Sequence, residues 1–145
     1  MPPVAETFVL DTSALFCLKE NEPGASDVEG ILREHGKKGA VFISFMSVME
    51  LAYILEQEQG ETAAHQGILQ LKQLPVQIVE SDEPLGLAAA RIKAGHKLSV
   101  ADAWIAATAE RLNATLVHKD PEFDPLAKLI RLKNLPWKAG RGSST

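Results

Sequence analysis

The stretch "LSVADAWIAATAERLNATLVHKD", residues 98–120, decides the fold. Ser99, followed by Asp102 and then the apolar run Trp104-Ile105-Ala106-Ala107, is a capping-box start for a helix. Ala101, Trp104, Ile105, Thr108 and Leu112 share one face, which predicts a helix over 100–112. "TLVHKD" at 115–120 then reads as a short apolar strand ending in an acid. A helix that feeds a buried strand is the repeating unit of a parallel α/β sheet.

The rest of the chain repeats that unit. "TFVLD" at 7–11, "VFIS" at 41–44 and "VQIVE" at 76–80 read as buried strands, with "KLIRL" at 128–132 a weaker, alternating candidate. Helical patterns fill the gaps over 13–20, 25–35, 47–59, 61–74 and 82–94. Gly36, Gly60, Pro75 and Gly95 act as stops, and Ser81 is the expected cap of the 82–94 helix. "SVME" at 47–50 repeats the capping-box arrangement of "SVAD". If that helix starts at Ser44 rather than Ser47, Glu50 lies in its second turn and caps nothing. The expected fold is a three-layer α/β/α domain around a largely parallel sheet of four to five strands.

At 145 residues the chain fits one domain, with an ordered core expected over about 7–137 and short loose ends. Hydrophobic residues make up 46%, enough for one core without staples. Cys17 stands alone, so no internal disulfide forms, and no Cys/His pair has zinc spacing. No apolar stretch approaches the roughly 20 residues of a membrane span, and no secretory leader is evident, so a cytoplasmic place is expected. The net charge of −4 excludes a globally basic nucleic-acid binder. Basic residues are nonetheless grouped: Arg91, Lys93 and Lys97 in one set, and Lys128, Arg131, Lys133, Lys138 and Arg141 in an acid-free C-terminal stretch. Such groups are either solvated faces or a basic rim for a phosphate chain.

In open α/β sheets, sites lie at the carboxyl ends of the strands and the starts of the helices that follow. Asp11 ends the first strand, Glu50 follows the second, Asp120 ends the fourth, and Asp102 opens the helix before it. Each has a bland reading. Asp11 can cap a helix, Asp102 can complete the capping box, and Asp120 before Pro121 can make a turn. None of these readings explains why all four fall at one sheet edge. Gathered carboxylates raise one another's pKa, and a hard divalent cation such as Mg²⁺ or Mn²⁺ removes that conflict. Such a cation supports phosphodiester hydrolysis.

With these residues in place, the chain resembles the PIN-domain family, in particular VapC-type toxin ribonucleases. The likeness rests on "FVLDTSALFCL", "ISFMSVMEL" and "LSVADAWIAATAERLNATLVHKDPEFD", in that order and spacing, and runs from about Thr7 to Trp137. It implies an α/β/α fold, an acidic pocket for Mg²⁺ or Mn²⁺, and endonucleolytic cleavage of RNA. Carried over, Asp11, Glu50, Asp102 and Asp120 become the catalytic, metal-binding acids. Ser13 or Thr12 becomes a supporting hydroxyl, and Glu122 a secondary acid. His118 stands where relatives commonly have Thr or Ser. Two readings of it stay open: a phosphate contact or proton donor, or a residue that only closes the strand. Lys97, Lys119 and Arg131 are candidates for the RNA backbone. The resemblance also implies a homodimer and a small antitoxin partner, for whose helix Met46, Met49, Tyr53 and Leu18 offer apolar surface.

Two rival readings stand beside it. A haloacid-dehalogenase-like phosphatase would also end its first strand in Asp11. However, "DTS" lacks that superfamily's second Asp, and Glu50 would have no role. A PIN-like module that binds RNA or protein without cleaving is the other, and the full set of four acids argues against it.

Overall fold

The computed structural model describes residues 6–137. The strands are β1 (Phe8–Leu10), β2 (Val41–Ser44), β3 (Gln77–Val79), β4 (Thr115–His118) and β5 (Arg131–Asn134). They form one sheet in the order β3-β2-β1-β4-β5, and every adjacent pair is parallel. Six α-helices connect them: α1 (Thr12–Lys19), α2 (Ala25–His35), α3 (Phe45–Gln59), α4 (Glu61–Gln73), α5 (Glu83–Gly95) and α6 (Val100–Leu112). A 3-10 turn over Pro121–Leu126 carries the chain from β4 toward β5.

Both faces of the sheet are covered, which is why its central strands read as unbroken apolar runs. Alternate side chains of each strand go to opposite cores. Phe8, Leu10, Val41, Ile43 and Val117 pack with α1–α4. Val9, Phe42 and Leu116 pack with α5, α6 and Phe123 of the 3-10 turn. Leu10 is fully buried; truncating such a residue to Ala costs about 2–5 kcal/mol.

The strand order places the site. Chain progress runs outward from β1 through β2 to β3, then crosses to β4 on the other side of β1. β1 and β4 therefore flank the point where strand order reverses, and in open α/β sheets that point is where sites lie, outside the strands' carboxyl ends. Leu10 pairs with Val117, and the Asp11 N–H donates to the Val117 carbonyl at 3.0 Å. Asn113 makes the α6-to-β4 turn at φ +51, so the strand can begin at Thr115; asparagine tolerates this left-handed conformation better than most residues.

Some boundaries differ from the sequence-based expectation. α3 starts at Phe45, and Ser44 caps it by accepting from the Met46 N–H, while Ser47 is buried inside the helix. Asp82, not Ser81, caps α5: its carboxylate accepts from the Leu85 N–H at 2.8 Å and leaves Ser81 outside. β5 begins three residues later than expected, because Leu129 and Ile130 donate back to the Leu126 carbonyl and prolong the turn. Lys138, Arg141 and the Gly/Ser end lie outside the described residues, as do residues 1–5 of the expected loose start.

Candidate metal centre

Asp11 leaves β1 with extended backbone and becomes the N-cap of α1. Its Oδ2 accepts from the Ser13 N–H at 3.0 Å and from the Ser13 hydroxyl at 2.5 Å. The Ser13 Oγ in turn accepts from the Lys119 N–H at 2.9 Å, which ties the end of β1 to the chain just past β4. Asp11 is only 3% exposed. Burial pushes its carboxyl up to about 6, with the Glu50 charge adding to the rise and the Ser13 hydrogen bonds opposing it.

Glu50 lies in the second turn of α3, where it caps nothing. Its Oε1 meets the Thr12 hydroxyl at 2.6 Å. The carboxylate is thereby held beside the residue that follows Asp11.

The other acids come from α6 and the end of β4. Ser99 caps α6 by accepting from the Asp102 N–H at 3.1 Å. Ser99 is thus the structural member of "SVAD", and the Asp102 side chain lies against other acids. Asp102, Asp120 and Glu122 each offer a carboxylate oxygen, and these lie within 4.8 Å of one another. Asp120 caps the 3-10 turn, with Oδ1 accepting from the Glu122 N–H at 2.9 Å. Burial raises the Asp102 carboxyl far above the usual carboxylate range. A hydrogen bond with Glu122 and the charges of Asp11, Asp120 and Glu122 raise it further. The charge of Asp11 raises Asp102 and that of Glu50 raises Asp11, so the pairs Asp11–Glu50 and Asp102–Asp120, with Glu122, lie in one electrostatic neighbourhood.

The remaining expected residues fall in different places. His118 is fully buried; its Nδ1 accepts from the Asp120 N–H at 3.1 Å, which leaves the proton on Nε2. Nε2 has no hydrogen-bond partner among the described residues, and the ring packs edge-on to Phe123 at 5.1 Å. Burial lowers its pKa and favours the neutral ring. Lys119 is buried too, with Nζ 3.0 Å from Glu22 and 5.9 Å from the centre of the Trp137 ring. Arg131 opens β5 opposite Thr115, at the amino edge of the sheet, and reaches Asn113. That is the edge away from the acids. Lys97 is exposed in the turn just ahead of the α6 start.

Sequence reasoning missed two contributors. Ser47 sits one turn before Glu50 on the same helix face, a spacing that was visible, yet it reads as a cap. Glu22 partners Lys119 across 97 positions, and no sequence signal announces such a pair.

The donor set is all oxygen, and like charges crowd at 4.8 Å or less around a buried Asp102. That chemistry fits a hard divalent cation rather than zinc or copper. A cavity of about 300 Å³ lies between α1, α3 and α4, but its walls are mostly aliphatic and none of these acids lines it.

The fold and the acid cluster define a three-layer α/β/α domain with carboxylates gathered near the switch point of a parallel sheet. The chain belongs to the PIN domain family, whose family model matches residues 8–129. This membership sets aside the dehalogenase-like reading. A search of curated protein sequences found no match. Solved structures share the fold at low identity. The DNA-bound VapBC structure from Salmonella typhimurium aligns at 19% identity and TM-score 0.72, covering 90% of this chain and 98% of that one. FitAcB from Neisseria gonorrhoeae aligns at 22% and 0.69, covering 88% and 97%. VapC20 from Mycobacterium tuberculosis, described as a sarcin-ricin-loop-cleaving toxin, aligns at 16% and 0.67, covering 86% and 97%. Among the described residues, no helix is long and apolar enough to cross a membrane.

Proposed function

We propose that this protein is a divalent-metal-dependent endoribonuclease and the toxin of a toxin–antitoxin pair. The observation that carries the reading is the crowding of Asp102, Asp120 and Glu122 within 4.8 Å, beside a buried Asp11. Such a cluster is costly without a counter-charge, and Lys119 already pairs with Glu22.

In this reading Asp11, Asp102 and Asp120 hold Mg²⁺ or Mn²⁺, with Glu122 as an additional carboxylate. When bound, the cation neutralises charge on the phosphodiester and acidifies water. Ser13 keeps Asp11 in one rotamer through the hydroxyl bond to Oδ2. Half-buried Glu50 binds the cation or receives the proton of the attacking water. Lys97, exposed ahead of α6, contacts the RNA backbone. Lys119 and Arg131 are assigned structural roles instead, because Lys119 is committed to Glu22 and Arg131 lies at the opposite sheet edge. His118 is assigned to holding the Asp120 backbone.

The partner in this reading is an antitoxin with an apolar helix. Leu18 lines the aliphatic cavity, and Met49 and Tyr53 are exposed on α3. VapBC and FitAcB neighbours share the fold, which supports the same kind of partner. A homodimer working in the cytoplasm completes the proposal, and sedimentation of the purified protein tests the dimer.

Purified protein incubated with total cellular RNA and Mn²⁺ should give discrete cuts that disappear with a chelator. No cleavage with any divalent cation, or cleavage that survives chelation, would overturn the proposal.

A further inference from the structure

Thr12 and Ser47 come from distant parts of the chain and meet beside Glu50. The Thr12 Oγ1 lies 2.6 Å from Glu50 Oε1 and 3.0 Å from Ser47 Oγ. A threonine hydroxyl carries one proton. The shorter contact is to a carboxylate, and charge-assisted bonds are the stronger ones. The proton of Thr12 therefore goes to Glu50, and the Ser47 hydroxyl donates to Thr12 Oγ1. Ser47 is fully buried and Thr12 nearly so. Ser47 and Glu50, three residues apart on α3, share a helix face. Thr12 is the first residue of α1, and Asp11 is its cap.

We infer that Ser47 and Thr12 form a hydroxyl relay that fixes the Glu50 carboxylate beside Asp11, which makes both of them positioning residues. Ser47 orients the Thr12 hydroxyl. Thr12 occupies Oε1 of Glu50 and leaves Oε2 for a cation or a water. The relay also ties the start of α1 to α3, so the two sources of carboxylate cannot drift apart independently. The inference rests on the proposed metal-dependent reaction, since a fixed Glu50 matters to a site that uses it. Groups that orient ligands in this way typically change metal affinity about 10–100-fold when removed.

The test uses the full chain with Thr12→Val, Thr12→Ser, Ser47→Ala and the double variant Thr12→Val/Ser47→Ala. Two quantities are measured: Glu50 side-chain order by NMR on ¹³C-labelled glutamate without metal, and Mn²⁺ affinity by calorimetry. Thr12→Val should free the Glu50 side chain and weaken Mn²⁺ binding about tenfold. Thr12→Ser should restore both. Ser47→Ala should loosen Glu50 less, and add nothing in the double variant, because both changes break one chain of bonds. Unchanged Glu50 order in Thr12→Val overturns the relay, as does a Thr12→Ser variant that loses as much as Thr12→Val. Should Thr12→Val fail to fold, the milder Ser47→Ala decides: Glu50 order equal to wild type overturns the relay, and lower order supports it. If wild-type protein binds no Mn²⁺, the proposed function fails, while the order measurement still decides the relay.

Discussion

At the residue scale, the central fact is a set of crowded carboxylates, two of which, Asp11 and Asp102, are buried. Asp11 shows the consequence most simply. Its ordinary pKa of 3.8 rises to about 6 in the fold, so the folded chain binds that proton more tightly than the unfolded one. Its contribution to stability is fully present below 3.8 and is lost as pH rises through about 6. Buried His118 works in the opposite sense, because its lowered pKa favours the fold above the ordinary histidine value. The comparison is therefore made against Asp11→Asn, which keeps the cap and leaves His118 alone. Without metal, Asp11→Asn should melt close to wild type below about 3.8 and rise progressively above it between 3.8 and about 6, where the gap reaches its full size. Thermal melts across that range check this; a gap that stays constant or shrinks with pH would contradict the burial of a charged Asp11.

Asp102 gives a second residue-scale expectation. Burial and three neighbouring acids raise its carboxyl, so the charge there opposes folding at neutral pH. Asp102→Asn should leave the metal-free melting temperature equal or higher, while abolishing RNA cleavage. A variant that unfolds would return Asp102 to the role of a structural cap. Ser99 carries that role in this account.

At the element scale, Asp102 and Glu50 are placed by capped helix starts, while Asp11 and Asp120 are themselves caps. Ser99 holds the start of α6, and Ser44 the start of α3. Ser99→Ala should cost about 1 kcal/mol in denaturant unfolding, and Ser99→Asn much less, because asparagine also caps. The α6 pattern was legible to the residue: the expected helix over 100–112 is the observed one. Ser99 and the apolar face of that helix gave mutually consistent signals. The α3 start was not legible, because Ser44 and Ser47 are both good caps and only the end of β2 decides between them. α5 was misjudged for a similar reason, with Ser81 beside Asp82. β5 was misplaced because "KLIRL" alternates like a strand while its first half completes a turn held by the Leu126 carbonyl. Local patterns name the candidates in these cases, and tertiary hydrogen bonds choose among them.

At the scale of the whole molecule, strand order does what no single motif can. The α/β alternation predicts a parallel sheet, and the β3-β2-β1-β4-β5 order sets β1 beside β4, so Asp11 and Asp120 leave neighbouring strand ends. The gathering of acids at one edge was legible because carboxyl-end placement follows from the fold class alone. The fate of the cations was not. Lys119 follows β4 directly, yet its side chain turns to Glu22, and Arg131 belongs to the far edge. Side-chain direction at strand ends depends on partners from elsewhere in the chain. A divalent cation should stabilise the whole domain by linkage, by about 2.7 kcal/mol at a hundred times its Kd. A melt with and without Mn²⁺ checks this, and Asp11→Asn should lose most of the gain.

The most direct measurement strips the protein of metal, adds it to RNA, and restores Mn²⁺, for wild type and Asp11→Asn side by side with circular dichroism on both. The account predicts cleavage that returns with Mn²⁺ in wild type and stays absent in a fully folded Asp11→Asn. Full metal-dependent cleavage by Asp11→Asn would contradict it.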